Sequence, residues 1–130
     1  MAFPIAAGKT RGFTLIELLV VLAIVATLLT LAAPQYFSSV DRAKDTVLKE
    51  NIATLRDAID KFYGDTGKYP ETLDALVQKR YLKSLPLDPV TDKRDSWVTI
   101  QASGQGQSGI ADVQSGAAGK DADGVPYKDY

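Results

Sequence analysis

Apolar and polar positions divide the chain into three stretches. From Phe13 to Ala33 it reads FTLIELLVVLAIVATLLTLAA, 21 residues with one charge, Glu17, and three threonines. At 1.5 Å per residue a helix of this length reaches about 30 Å, the thickness of a bilayer hydrocarbon core. A helix apolar all round needs lipid, copies of itself or a large protein around it. Roughly a hundred further residues are too few to bury it. A secretory signal peptide would carry a shorter apolar region ending at a small-residue cleavage site. Here Ala32-Ala33-Pro34 runs on into a second helical pattern, which favours a membrane span.

In the second stretch, Val40, Ala43, Val47, Leu48, Ile52, Leu55, Ile59 and Phe62 recur at three- and four-residue spacing. Asp41, Arg42, Lys44, Asp45, Lys49, Glu50, Arg56, Asp57 and Asp60 lie between them. This predicts an amphipathic helix with one core-facing stripe, stopped by Gly64. Pro34 removes one backbone hydrogen bond and bends a helix without ending the pattern. A continuous helix from Phe13 to Tyr63 would extend about 76 Å.

The third stretch is punctuated by turns. Gly64 to Pro70 reads as a loop, and Glu71 to Arg80 as a short helix with Leu73, Leu76 and Val77 inward. Two prolines make Tyr81 to Pro89 an extended connection. Asp95 to Gln101 has strand composition, Ser103 to Gly109 is a flexible loop, and Ile110 to Gln114 is a second, antiparallel strand. Ser115 to Tyr130 is rich in Gly and Asp. The expected fold class is α+β: a long N-terminal helix packed on a small antiparallel-sheet head.

Composition narrows the chemistry. With 15 Lys plus Arg against 16 Asp plus Glu, the net charge is −1 and no basic stripe offers itself to nucleic acid. The chain has no cysteine and no histidine. Disulfides, thiolate or imidazole metal sites, cysteine nucleophiles and the Ser–His–Asp triad are therefore excluded. Asp57 and Asp60 fall on the solvated helix face, and Tyr63, Tyr69 and Tyr81 read as packing residues with wet hydroxyls. No catalytic constellation stands out, so an enzyme is not expected.

Charge placement orients the span. Lys9 and Arg11 precede it, and Asp41 is the first charge after it. The positive-inside rule puts the N-terminus in the cytoplasm and everything after about Tyr36 across the membrane. Glu17 is the anomaly, because a carboxylate inside an apolar span costs about 2.5–3.5 kcal/mol. Either it reaches the headgroups, or it has a partner or a task.

Lys9-Thr10-Arg11-Gly12 followed by Phe13-Thr14-Leu15-Ile16-Glu17-Leu18 resembles the type III signal sequence of type IV pilins and type II secretion pseudopilins. The shared features are a basic leader, Gly, Phe, Glu five residues after the Gly, and an apolar run. GKYP, YLKSLPLDP and Trp97 resemble segments of the major pseudopilin group, and the match weakens after Ser103. Type IV pilins commonly close their C-terminal region with a disulfide; a chain without Cys sits on the pseudopilin side.

The resemblance implies that prepilin peptidase cuts between Gly12 and Phe13 and N-methylates Phe13. It implies a leader over 1–12, a transmembrane and filament-core half-helix over 13–34, an amphipathic half-helix over 35–64 and a periplasmic head over 65–130. Glu17 and Pro34 become the assembly residues, with the Glu17 carboxylate receiving the amine of an incoming neighbour. The implied setting is the bacterial inner membrane, crossed once. The implied partners are copies of itself in a helical homopolymer, minor pseudopilins, the peptidase, an inner-membrane assembly platform and, before assembly, the bilayer. The filament would be a periplasmic pseudopilus that drives protein export through a type II secretion system.

The same group is associated with a calcium site in the C-terminal loop. The candidates here are Asp112, Asp121, Asp123 and Asp129, with Gly119 and Gly124 allowing tight turns. Calcium takes six to eight oxygens. The family's Gly-Ala-Asp-Gly stretch stands here as Gly116-Ala117-Ala118-Gly119, and a solvated acidic loop is the alternative. A type IV pilus subunit for adhesion, motility or DNA uptake is the alternative function. A single-span protein with a periplasmic binding module that never polymerises would leave Glu17 and the Gly12–Phe13 junction unexplained.

Overall fold

The computed structural model describes residues 2–5, 8 and 11–130. Lys9 and Thr10 lie outside the described residues. The chain divides into two compact units, Met1–Phe37 and Ser38–Tyr130. One helix, α1 (Leu15–Thr66), contributes to both, and Pro34 lies inside it.

In the first unit every described residue from 11 to 37 is exposed. The helix here is long and apolar enough to cross a membrane. The Thr27 and Thr30 hydroxyls donate to the Ala23 and Ala26 carbonyls, both at 2.8 Å. Such back-bonding satisfies the hydroxyls where no water is available.

The second unit has a core of Leu48, Ile52, Leu55, Ala58 and Ile59 from α1. Leu76, Trp97, Ile110 and Val113 close over them. The stripe differs from expectation at its start: Ala43 and Val47 are exposed, whereas Asp45 is buried at 7 % exposure. Segments from the end of the chain cover Asp45, as described below.

The end of α1 also differs. The helix passes through Gly64 and stops at Thr66, because Gly67 takes a left-handed φ of 72° and returns its N–H to the Tyr63 carbonyl at 2.8 Å. A lone glycine only weakens a helix; a left-handed glycine after the last turn ends it. A Cβ at Gly64 would meet nothing within 4 Å. Gly64→Ala is therefore expected to stabilise the head by about 0.5–1 kcal/mol, read as a higher midpoint in thermal melts of the purified chain.

Helix α2 covers Leu73–Gln78, shorter than the expected Glu71–Arg80. Thr72 caps it, its hydroxyl accepting from the Ala75 N–H at 3.2 Å. At the other end Arg80 takes a φ of 65°, which turns the Tyr81 and Leu82 amides back onto the Leu76 carbonyl. The Pro-rich connection follows, tied down by Trp97, whose ring N–H donates to the Pro86 carbonyl at 3.0 Å.

Strands β1 (Val98–Gln101) and β2 (Ile110–Gln114) pair antiparallel, from Val98 opposite Gln114 to Gln101 opposite Ile110. The register shifts between Ile100 and Gln101. That irregularity lets Ile110 and Val113, three residues apart, both reach the core instead of alternating strictly.

Candidate functional site: the helix start and the C-terminal latch

Two places carry the chemistry expected from the sequence. The first is the start of α1. Residues 11–14 have no regular structure, and Phe13 is 94 % exposed. A Cβ on Gly12 would meet nothing within 4 Å. The Gly12–Phe13 bond thus lies in open, irregular chain just before the helix, as a protease needs. Arg11, Gly12, Phe13 and Glu17 border one open depression of about 570 Å³.

Glu17 has a local partner that the charge argument did not anticipate. Its Oε2 accepts the Thr14 N–H at 3.0 Å, and its own N–H donates to the Thr14 Oγ1 at 3.2 Å. This reciprocal pair is a capping box. It satisfies two donors that a helix start otherwise leaves open, which matters most where water is scarce. The Thr14-Leu15-Ile16-Glu17 spacing carried the signal in the sequence. The cap engages the carboxylate through Oε2 alone.

The second place is the C-terminal segment. The four candidate ligands do not come together: among the described residues no three carboxylates gather as a metal would require. Asp112 lies against Arg56, whose Nε donates to its Oδ1 at 2.7 Å. Asp123 and Asp129 are exposed. Asp121 is buried at 8 % exposure. Its Oδ1 accepts from the Asp123 and Val125 amides at 2.9 and 2.8 Å, and its Oδ2 from the Tyr130 hydroxyl at 2.5 Å.

The Tyr130 hydroxyl holds the Asp121 carboxyl below its ordinary range against the cost of burial, with help from the Val125 and Asp123 amides and from Lys49. In turn burial, and then Asp121, push the Tyr130 phenol well up. Burial and the Asp45 carboxylate push the Tyr127 phenol up to about 12. A further carboxylate, Asp88, is fully buried. It accepts from the Val90 and Thr91 amides and, at 2.5 Å, from the Ser115 hydroxyl, tying the 88–93 turn to the end of β2.

Comparison with known proteins matches most of the chain. Residues 8–33 match the prokaryotic N-terminal methylation motif, which defines the class. Residues 35–125 match the family described as type II secretion system protein G. The chain belongs to the type II secretion system protein G family. Among curated relatives, a type II secretion system core protein G from Pseudomonas aeruginosa is 40 % identical, covering 62 % of this chain and 68 % of its own. The protein of that name from Klebsiella michiganensis is 32 % identical over 92 % of this chain and 88 % of its own. The Aeromonas hydrophila protein is 33 % identical over 88 % and 90 %. No solved structure matches the chain. Protein G is a structural pseudopilin of the secretion system, so the chain is a structural subunit and not an enzyme.

Proposed function

We propose that this protein polymerises into a periplasmic pseudopilus that drives export through a type II secretion system. One observation carries the reading: an open Gly12–Phe13 junction directly precedes a capped, wholly exposed apolar helix bearing Glu17, in a chain whose remainder is a protein G head. In this reading the peptidase removes 1–12 on the cytoplasmic side, and Lys9 and Arg11 keep that side positive. Residues 13–34 wait in the inner membrane and then bundle as the filament core. Residues 35–64 form the amphipathic half-helix, and 65–130 complete the periplasmic head. Heterologous contacts that do not close into a ring build the fibre. Pro34 marks where the all-round apolar surface gives way to the one-sided stripe. Minor pseudopilins and an inner-membrane assembly platform are the further partners.

The processing step is tested by intact mass of membrane-extracted protein from cells with active prepilin peptidase. The expected mature chain begins at Phe13 and is one methyl group heavier than the bare sequence. Recovery of the chain with its leader attached would overturn the reading. Gly12→Val is expected to block cutting. A Cβ there meets nothing within 4 Å of this protein's own structure, so accumulation of uncut chain would report the peptidase's need for a bare Cα at the bond.

A further inference from the structure

Family resemblance leads one to look for calcium in the C-terminal loop, but the buried carboxylates there are already engaged, and among the described residues the exposed Asp123 and Asp129 gather with no others into a group of three. Calcium wants six to eight oxygens at about 2.3–2.6 Å, several from carboxylates. Asp121 gives one oxygen to two backbone amides and the other to a phenol. The second buried carboxylate, Asp45, is equally occupied: Oδ1 accepts the Tyr127 hydroxyl at 2.9 Å, and Oδ2 the Ala122 amide at 3.1 Å. Among the described residues no buried side-chain oxygen or nitrogen lacks a partner.

Positive charge is supplied by the chain itself. Lys49 Nζ lies 3.9 Å from Asp121 Oδ2 and 4.9 Å from the centre of the Tyr130 ring, a carboxylate and an aromatic face shared by one ammonium. Arg56 takes Asp112 Oδ1 at 2.7 Å and the Tyr130 main-chain oxygen at 2.8 Å. Asp45, Lys49 and Arg56 are spaced four and seven residues apart on α1, hence on one face. The Tyr127 and Tyr130 rings meet edge to face at 5.6 Å between them.

We infer that the Asp45–Tyr127 pair latches the C-terminal segment to α1, while the Asp121–Tyr130 pair closes that segment on itself and is held to α1 by Lys49 and Arg56 as built-in cations. The head of this chain therefore closes without a divalent ion. Asp121 is a structural acceptor in this arrangement, and calcium in the medium is irrelevant to the fold. The inference stands on the head alone and is independent of whether the chain polymerises.

The test is thermal unfolding of the full chain in detergent micelles, followed by tyrosine circular dichroism, with 1 mM calcium and with excess chelator. A ligand bound only by the folded state raises the midpoint by mass action. The expected midpoints coincide, and calorimetric titration of calcium into the folded chain shows no saturable heat. A midpoint several degrees higher with calcium, or a saturable heat, overturns the inference. Tyr130→Phe and Lys49→Met are expected to lower the midpoint by several degrees, equally with calcium and with chelator. Unchanged midpoints, or rescue of Lys49→Met by calcium, also overturn it. Should a variant fail to fold, the wild-type comparison and the titration still decide.

Discussion

Replacing Glu17 with alanine is expected to leave a chain that inserts in the membrane and is cut after Gly12, yet fails to enter filaments. Two interactions are lost at once. The first is the capping box, in which the Glu17 carboxylate holds the Thr14 N–H. Loss of such a cap costs about 1 kcal/mol, too little to prevent a 52-residue helix from forming. The second is the charge. Cleavage would leave Phe13 with a free methylated amine, cationic near neutral pH. In a low-dielectric layer that cation and a carboxylate attract far more strongly than in water. Removing one member of a buried pair costs about 3–5 kcal/mol, because its partner is left uncompensated.

Substitutions separate the two effects. Glu17→Gln keeps the reach and hydrogen-bonding shape of a capping box but carries no charge. It is expected to assemble as poorly as the alanine variant. Glu17→Asp keeps the charge one methylene short and should be intermediate. Co-expression with wild type, shearing of filaments and blotting give the measurement. Wild-type incorporation of Glu17→Ala would reduce Glu17 to a residue of the helix start alone. Failure of Glu17→Ala with full incorporation of Glu17→Gln would assign the assembly role to the cap.

Gly116→Ala is expected to be the most damaging single-methyl change in the head. The added Cβ would lie 2.0 Å from the Ser96 carbonyl oxygen and 3.1 Å from its carbon, both backbone atoms that no rotamer can move away. The preceding residue, Ser115, holds the buried Asp88 carboxylate, so a shift here also loosens that anchor. Overpacking against backbone costs about 3 kcal/mol or more, a fall in melting midpoint of roughly 10–20 °C for a domain of this size. Thermal melts of the purified chain would show it. Gly64→Ala, the same chemical change in open space, is the internal control and moves the midpoint the other way. A Gly116→Ala protein that melts with wild type would mean that the segment relaxes freely.

The sequence made some of this legible because the forces involved are local or periodic. The apolar run, the stripe from Leu48 through Ile59 and the strand Ile110–Gln114 follow from spacing alone, and the structure repeats them. Gly64 misled because composition marks a glycine without revealing its φ; the left-handed turn falls three residues later, at Gly67. Asp45 looked solvated because nothing near it in sequence explains its burial. Its partners Ala122 and Tyr127 lie 77 and 82 residues away. The acids towards the C-terminus were read as ligands from the resemblance; for Asp121 the partners are amides of its own turn, Tyr130 and Lys49, and for Asp112 the partner is Arg56, the last two cations on a distant helix. Thr14 is the exception, since its capping spacing with Glu17 was there to be read.

The span of chain enclosed by the latch sets an order of events in folding. Contacts between residues so far apart carry the full entropy of closing a long loop, and such contacts form after local ones. If the chain after the span crosses the membrane in order of synthesis, the second half of α1 emerges while Tyr127 and Tyr130 have yet to be delivered. α2 and the hairpin close over its second-half stripe, and the face carrying Asp45, Lys49 and Arg56 stays bare. During that interval the nascent subunit is at its most vulnerable to proteases and to wrong partners, and it ends only when the two tyrosines dock.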